Sequence, residues 1–303
     1  MSKKLVVVAG ATGKQGGSVV AALLNNGGYT IRGLTRNTES PASKSLAAKG
    51  VEMVQATLPD KASLVEAFKG AYAVFGVTVP HTKDSETLQG NNMVDACKAN
   101  DVPLFVWSSL PSAAELSGGK VTGVSLMDDK AAVDKHIKEV GQPAVILYTG
   151  NFTENLLTRP QLIRNSSGTW EIQFPFSPAD QVAITSYIEK DLGPSVVAII
   201  DHWSDMSLRE KLTEEPVIAC SYNITGAEMA ATITRITGKE VTYVVSEPAI
   251  IPVPARPLFK WLAENWNYPG TIPPPILTDF GVKFHSFEDF VREKVVPFMA
   301  EQE

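Results

Sequence analysis

Short apolar runs alternate with helix-spaced segments through the first half of this chain. Leu5–Ala9, Tyr29–Thr35, Val51–Ala56, Ala71–Val77, Pro103–Trp107 and Ala144–Tyr148 read as strands whose neighbouring positions are all apolar rather than alternately polar. Between them, Ser18–Leu24, Ser63–Phe68 (closed by Gly70), Glu86–Ala99 and Lys130–Val140 place apolar residues at helical spacing; in the third, Leu88, Met93, Val94 and Cys97 share one stripe. Strands buried on both faces and separated by helices predict an α/β fold, a doubly wound parallel sheet covered on both sides.

The pattern changes after Asn151. Pro160, Trp170, Phe174-Pro175-Phe176, Pro248–Pro257 and Trp261–Pro275 make the second half richer in proline and aromatics. Pro194 interrupts a helical pattern, Val217–Tyr222 reads as a strand, and Gly226–Thr237 as a helix that turns at Gly238 into a short strand over 241–244. Phe284–Phe298 reads as a closing amphipathic helix. The expected division is 1–153 for the sheet domain and 154–303 for a smaller, irregular domain partly interleaved with the sheet edge. Trp261, Trp266, Tyr268 and Pro273–Pro275 are candidate walls of an apolar cleft, though core packing is the commoner fate of such residues.

Ligands of such sheets sit beyond the carboxyl ends of the strands, which draws attention to Thr78-Val79-Pro80-His81, Ser108-Ser109 and Thr149-Gly150-Asn151-Phe152. The first strand runs into Gly10-Ala11-Thr12-Gly13-Lys14-Gln15-Gly16 and then a helix. Glycines at that spacing permit a tight turn and close approach of backbone to a pyrophosphate, and the helix N-terminus offers unpaired N–H groups. Strand, glycine turn and helix together predict a Rossmann-type dinucleotide site with Gly10, Thr12, Gly13, Lys14, Gln15 and Gly16 at the phosphates. The second strand ends at Arg36, and no carboxylate follows until Glu39. An acid there would grip a ribose 2′-hydroxyl; an arginine suits a 2′-phosphate. The expected cofactor is therefore NADP(H), with Lys14 as a second cation around the phosphate and Lys44 as a third if the segment after the strand folds back.

Composition narrows the functions. A net charge of −6 over 303 residues gives no electrostatic reason to expect nucleic acid or an anionic membrane. No apolar run reaches bilayer-spanning length, and a first strand starting near Lys4 predicts no targeting peptide. Cys97 and Cys220 are the only cysteines and lie in apolar segments, predicting buried thiols and a cytoplasmic setting. His81, His136, His202 and His285 are scattered without metal-ligand spacing, so no metal is expected. None of the seven tyrosines has lysine four positions on, which removes the Tyr-x-x-x-Lys proton relay. No Gly-x-Ser-x-Gly elbow or phosphate-loop lysine motif occurs. Asp128-Asp129 read as a cap on a helix starting at Lys130.

The stretches Gly10–Ser18, Thr35-Arg36-Asn37, Gln89–Ala96, Phe105–Ser109, Lys130 and Gly150-Asn151-Phe152-x-Glu154-Asn155 resemble the NmrA-like family of atypical short-chain dehydrogenases, related to isoflavone reductase-like enzymes. The resemblance is strong over 4–157 and looser through Tyr222–Gly226 to the end. It implies NADP binding, and Val79, Ser108, Gly150, Asn151 and Phe152 at the strand ends are expected among the cofactor-binding residues. It also implies that Lys130 holds the nicotinamide ribose and, in active members, assists proton transfer. A lysine opening a helix opposes the dipole, which agrees with a functional role. Departures are Ala56-Thr57 where many members carry an acid near the adenine, leaving Thr57 or backbone groups there, and Val124–Asp129 without the family histidine. Tyr148-Thr149-Gly150 stands in place of Arg-Pro-Gly, making Tyr148 an alternative proton donor, with His81 a third. Some members are NADPH-dependent reductases and others NADP-responsive redox sensors, which would place a regulator in the nucleus. The expectation is a monomer or homodimer that reduces a small apolar carbonyl, imine or activated alkene; the alternatives are a sensor regulating a protein partner, or a non-redox enzyme on the same fold.

Overall fold

All six predicted strands form. The computed structural model describes residues 2–159, 161–246, 255–264 and 270–302. Its first half runs β1 (Lys4–Val8), α1 (Lys14–Asn26), β2 (Tyr29–Thr35), α2 (Pro41–Ala48), β3 (Glu52–Gln55), α3 (Lys61–Ala67), β4 (Ala71–Gly76), α4 (Glu86–Ala99), β5 (Leu104–Ser109), α5 (Ala113–Leu116), α6 (Ser125–Val140) and β6 (Ala144–Tyr148). The strands lie parallel in the order 3-2-1-4-5-6. Because side chains alternate along a strand, Val6 and Val8 enter the core on one face of the sheet, while Val7 and Ala9 enter the core on the other with Phe105, Trp107 and Val133.

The second half continues with β7 (Asn151–Phe152), α7 (Asn155–Thr158), β8 (Leu162–Arg164), β9 (Trp170–Pro175) and β10 (Val182–Ser186). A π-helical turn, Ile188–Leu192, leads into α8 (Gly193–His202), then α9 (Met206–Glu214), β11 (Val217–Ile218), β12 (Tyr222–Thr225), α10 (Gly226–Thr237), β13 (Val241–Ser246), α11 (Arg256–Glu264) and α12 (Pro275–Asp279). Two three-stranded sheets, β12-β10-β7 and β13-β9-β8, stand apart from the main one. The chain also returns to the first half: β11 adds a seventh strand beside β6, and Val196, Ile199 and Ile200 of α8 share a core with Val6, Val8, Val19 and Leu23.

Four readings are corrected. Helix α6 begins at Ser125, so Lys130 sits in its second turn and the dipole argument lapses. Asp128 does not cap α6; its carboxylate accepts from the Ser112 hydroxyl (3.0 Å) and the Ala114 N–H (3.2 Å), fixing α5. Val217–Tyr222 is not one strand. Val217–Ile218 pairs with β6, the Ser221 N–H turns to the Thr185 carbonyl, and Tyr222 opens a strand in another sheet. The closing segment starts at Phe287 behind a Ser286–Asp289 capping box, widens to a π-helical turn over Val291–Val295 and resumes with Pro297 in its first turn. Both cysteines are buried.

Candidate functional site

The glycine turn is built for close contacts. Gly10 has φ +60°, and the Gly13 N–H closes the turn on its carbonyl at 2.8 Å. A Cβ on Gly16 would lie 2.2 Å from that same carbonyl oxygen, so only glycine lets α1 start against the turn. Helix α1 has no side-chain cap and no acid in its first turn. Its leading N–H groups are therefore left for another acceptor. Thr12, Gly13 and Lys14 are exposed there. A cradle of this kind fits a dinucleotide pyrophosphate. Lys14 Nζ donates to Thr158 Oγ1 at 2.7 Å, and burial lowers its pKa against the opposing pull of Glu154.

Arg36 is exposed at the end of β2. Lys44 pairs with Glu39 (3.1 Å), both exposed, so its charge is already partnered. Thr57 is exposed after β3, in a loop held by Asn92, whose amide donates to the carbonyls of Leu58 (3.0 Å) and Pro59 (3.1 Å). The Val79 N–H donates to Gln89 Oε1 (2.9 Å), and the Gln89 amide returns a hydrogen bond to the Val79 carbonyl (3.0 Å), fixing the loop after β4.

A cavity of about 220 Å³ opens beyond the carboxyl ends of β4, β5 and β6. Gln15 reaches it from α1 and Ser108 from β5, joined by a hydrogen bond from Ser108 Oγ to Gln15 Oε1 of 2.6 Å. Gly150, Asn151 and Phe152 form another wall, and Leu258, Phe259, Trp261 and Leu262 of α11 close it with aliphatic and aromatic surface. Gly150 is required there, since a Cβ would meet the Ile184 carbonyl oxygen at 2.4 Å. Trp261 thus takes the predicted role; Pro273–Pro275 do not line the cavity, and Trp266 and Tyr268 lie outside the described residues.

Lys130 also lines this cavity. Its Nζ donates to Glu86 Oε2 and to Thr78 Oγ1, both at 2.5 Å, while the Thr78 hydroxyl donates to the same carboxylate oxygen at 2.5 Å. The Trp107 ring lies 5.8 Å away. All three polar residues are buried. Helix α4 can approach α6 closely enough for this pair because Gly90 faces Val133, where a Cβ would sit 2.3 Å from a methyl.

Tyr148 and His81 are not brought to the cavity. The Tyr148 hydroxyl donates to Asp134 Oδ2 (3.3 Å). Burial, then the Asp134 charge, raises its pKa above the ordinary tyrosine range. Asp134 also accepts from Ser109 Oγ (2.7 Å) and Trp107 Nε1 (2.9 Å), and burial pushes its carboxyl up to about 6. His81 is an exposed residue at φ +60° in the loop after β4. Sequence reasoning missed Glu86, whose place in the first turn of α4 reads as ordinary dipole complementation, and Arg159, which lines the cavity beyond α7. No group of metal-ligating side chains occurs among the described residues, and no described helix is long and apolar enough to cross a membrane.

The profile of the NmrA-like family matches residues 2–264. An NmrA-like family domain-containing oxidoreductase of Aspergillus japonicus is 28% identical over 282 residues, covering 85% of this chain and 80% of that one. Another, of Aspergillus hancockii, is 34% identical over 167 residues, 52% of this chain; the match spans about half (49%) of that relative's length. Among solved structures, NmrA, a negative transcriptional regulator, in complex with NADP superposes with a TM-score of 0.84 at 21% identity, covering 100% of this chain and 98% of that one. A Citrobacter triphenylmethane reductase complexed with NADP(H) gives 0.71 at 17% identity, covering 95% and 99%. At such identities the structures bear on the fold.

Proposed function

Because the chain belongs to the NmrA-like family, we propose that it is an NADPH-dependent oxidoreductase acting on a small apolar carbonyl, imine or activated alkene. The observation that carries this reading is the buried Lys130–Glu86–Thr78 set at the wall of an apolar cavity that begins beside the glycine turn. The chain binds NADP(H), as do the NmrA and triphenylmethane reductase structures that share its fold. The uncapped N–H groups of α1 hold the pyrophosphate, Arg36 and Lys14 the 2′-phosphate, and Thr57 the adenine side. Ser108, Val79 and Gly150–Phe152 lie toward the nicotinamide end. Bound there, the cofactor supplies a hydride.

The protein's own contribution centres on Lys130. An ammonium has three N–H donors, and Glu86 and Thr78 take two of them. The third serves the substrate oxygen or nitrogen that gains negative charge, and Nζ carries the proton it needs. Charge fixed in place beforehand stabilises such a change without reorganisation. Apolar residues of α11 exclude water from the same space.

A second reading, an NADP-responsive regulator, is favoured by one observation: Tyr148 is engaged by Asp134 and His81 lies outside the cavity, leaving Lys130 without a second proton donor from that set. NADPH oxidation measured against aryl ketones, quinones and cyclic imines separates the two. The reductase reading expects turnover of at least one class. Intact NADPH binding with no turnover of any returns the regulator.

A further inference from the structure

Two cations line the cavity, and only one is neutralised. Lys130 is matched by Glu86 at 2.5 Å. Arg159, just beyond α7, faces the same space, yet no carboxylate, carbonyl or hydroxyl among the described residues accepts a hydrogen bond from its guanidinium. Lys14 feels it as a like charge, which adds to the lowering of the Lys14 pKa. Burial lowers the Arg159 pKa with no acid to oppose it. The lining it shares is otherwise largely apolar, from Ile184, Leu258, Phe259 and Leu262. Arg159 is an exposed residue that lines the cavity, so its planar fork of donors is open to an incoming anion.

We propose that the ligand of this cavity is an organic carboxylate: an apolar body seated against α11, with its carboxylate on Arg159 and its reducible group turned toward Lys130. The inference rests on the reading of this cavity as the ligand site but not on turnover. It separates the two cations by task, since Lys130 is held by its own carboxylate while Arg159 offers a planar, bidentate match to the ligand's.

The test is calorimetric titration of the NADP-loaded protein with a panel of aryl and alkyl carboxylates, each beside its neutral amide (2-naphthoate and 2-naphthamide, for example). The wild type should bind acids roughly 10- to 100-fold more tightly than their amides, the span of one charge-assisted contact. Arg159→Gln should abolish that preference while leaving the amides and NADPH unchanged, and Arg159→Lys should keep part of it. Absence of any acid preference across the panel overturns the proposal. So does an Arg159→Gln variant that weakens NADPH and spares the acids, which would assign the guanidinium to a cofactor phosphate. An acid preference in a protein that turns nothing over would keep this inference and remove the reductase reading.

Discussion

Lys130 Nζ and Glu86 Oε2 stand 2.5 Å apart across two helices, each side chain less than a tenth exposed. Removing both charges from water is expensive, and a buried pair of this kind is weak evidence for stability in itself. Its position at a cavity wall is what the proposed function uses: the pair fixes one ammonium beside the space a substrate would occupy.

Lys130→Met keeps the apolar stem and deletes the charge. Turnover should fall about 10²–10⁴-fold, with a much smaller change in NADPH affinity. Steady-state rates beside calorimetric NADPH titration check the split; undiminished turnover would make Lys130 a bystander.

Glu86→Gln leaves the ammonium buried without its counter-charge. Unfolding free energy should drop by about 3–5 kcal/mol, and the double variant with Lys130→Met should recover much of it. Urea denaturation of the three variants gives the coupling; additive losses would show that the pair does not act as a unit.

Arg36→Ala should remove most of the preference for NADPH over NADH, about 1–3 kcal/mol for one charged hydrogen bond. Equal affinities in the unmutated protein would already refute the assignment.

The glycines of the turn should respond differently. Gly13 has extended backbone, and a Cβ there would meet the Gly10 carbonyl oxygen at 3.2 Å, so Gly13→Val should fold and lose NADPH. Gly16→Ala drives a Cβ into backbone at 2.2 Å and should cost folding itself. Circular dichroism and NADPH titration distinguish the two; a Gly13→Val protein that binds NADPH normally would contradict the cradle.

Asp134 makes a pH prediction. Burial raises its carboxyl from 3.8 to about 6 in the folded state. Between those values the folded protein holds the extra proton, so this group's contribution to stability falls as pH rises from about 4 to about 6 and is level above. The loss is at most about 2–3 kcal/mol. Comparing pH-dependent unfolding of wild type and Asp134→Asn isolates it; identical slopes would place the titration elsewhere.

Local signals made the first half legible. Gly10, Gly13 and Gly16 after an apolar run mark strand, turn and helix, and Glu86–Ala99 and Ala144–Tyr148 form as the sequence predicts. What escaped depends on distant partners. Asp128-Asp129 look like a cap, yet Asp128 serves a helix fourteen and more positions upstream. Glu86 lies 44 positions from Lys130, and nothing in its own neighbourhood announces the pairing. Val217–Tyr222 is apolar but for Ser221, and the turn bonds of Ala219 and Cys220, with those of Ser221 to Thr185 and Asp191, divide it between two sheets.

Ser18 in α1 donates to the Glu189 carbonyl (3.1 Å) and accepts from the Gly193 N–H (3.0 Å), and a Cβ on Gly193 would sit 2.2 Å from the Ser18 carbonyl oxygen. The helix with the uncapped N-terminus behind the glycine turn is thus keyed, along its flank, to a segment encoded some 170 residues later. Recombination among relatives is constrained accordingly. A crossover near residue 153 imports a foreign 188–200 segment, and the hybrid keeps this seam only if the newcomer carries glycine where α8 meets α1.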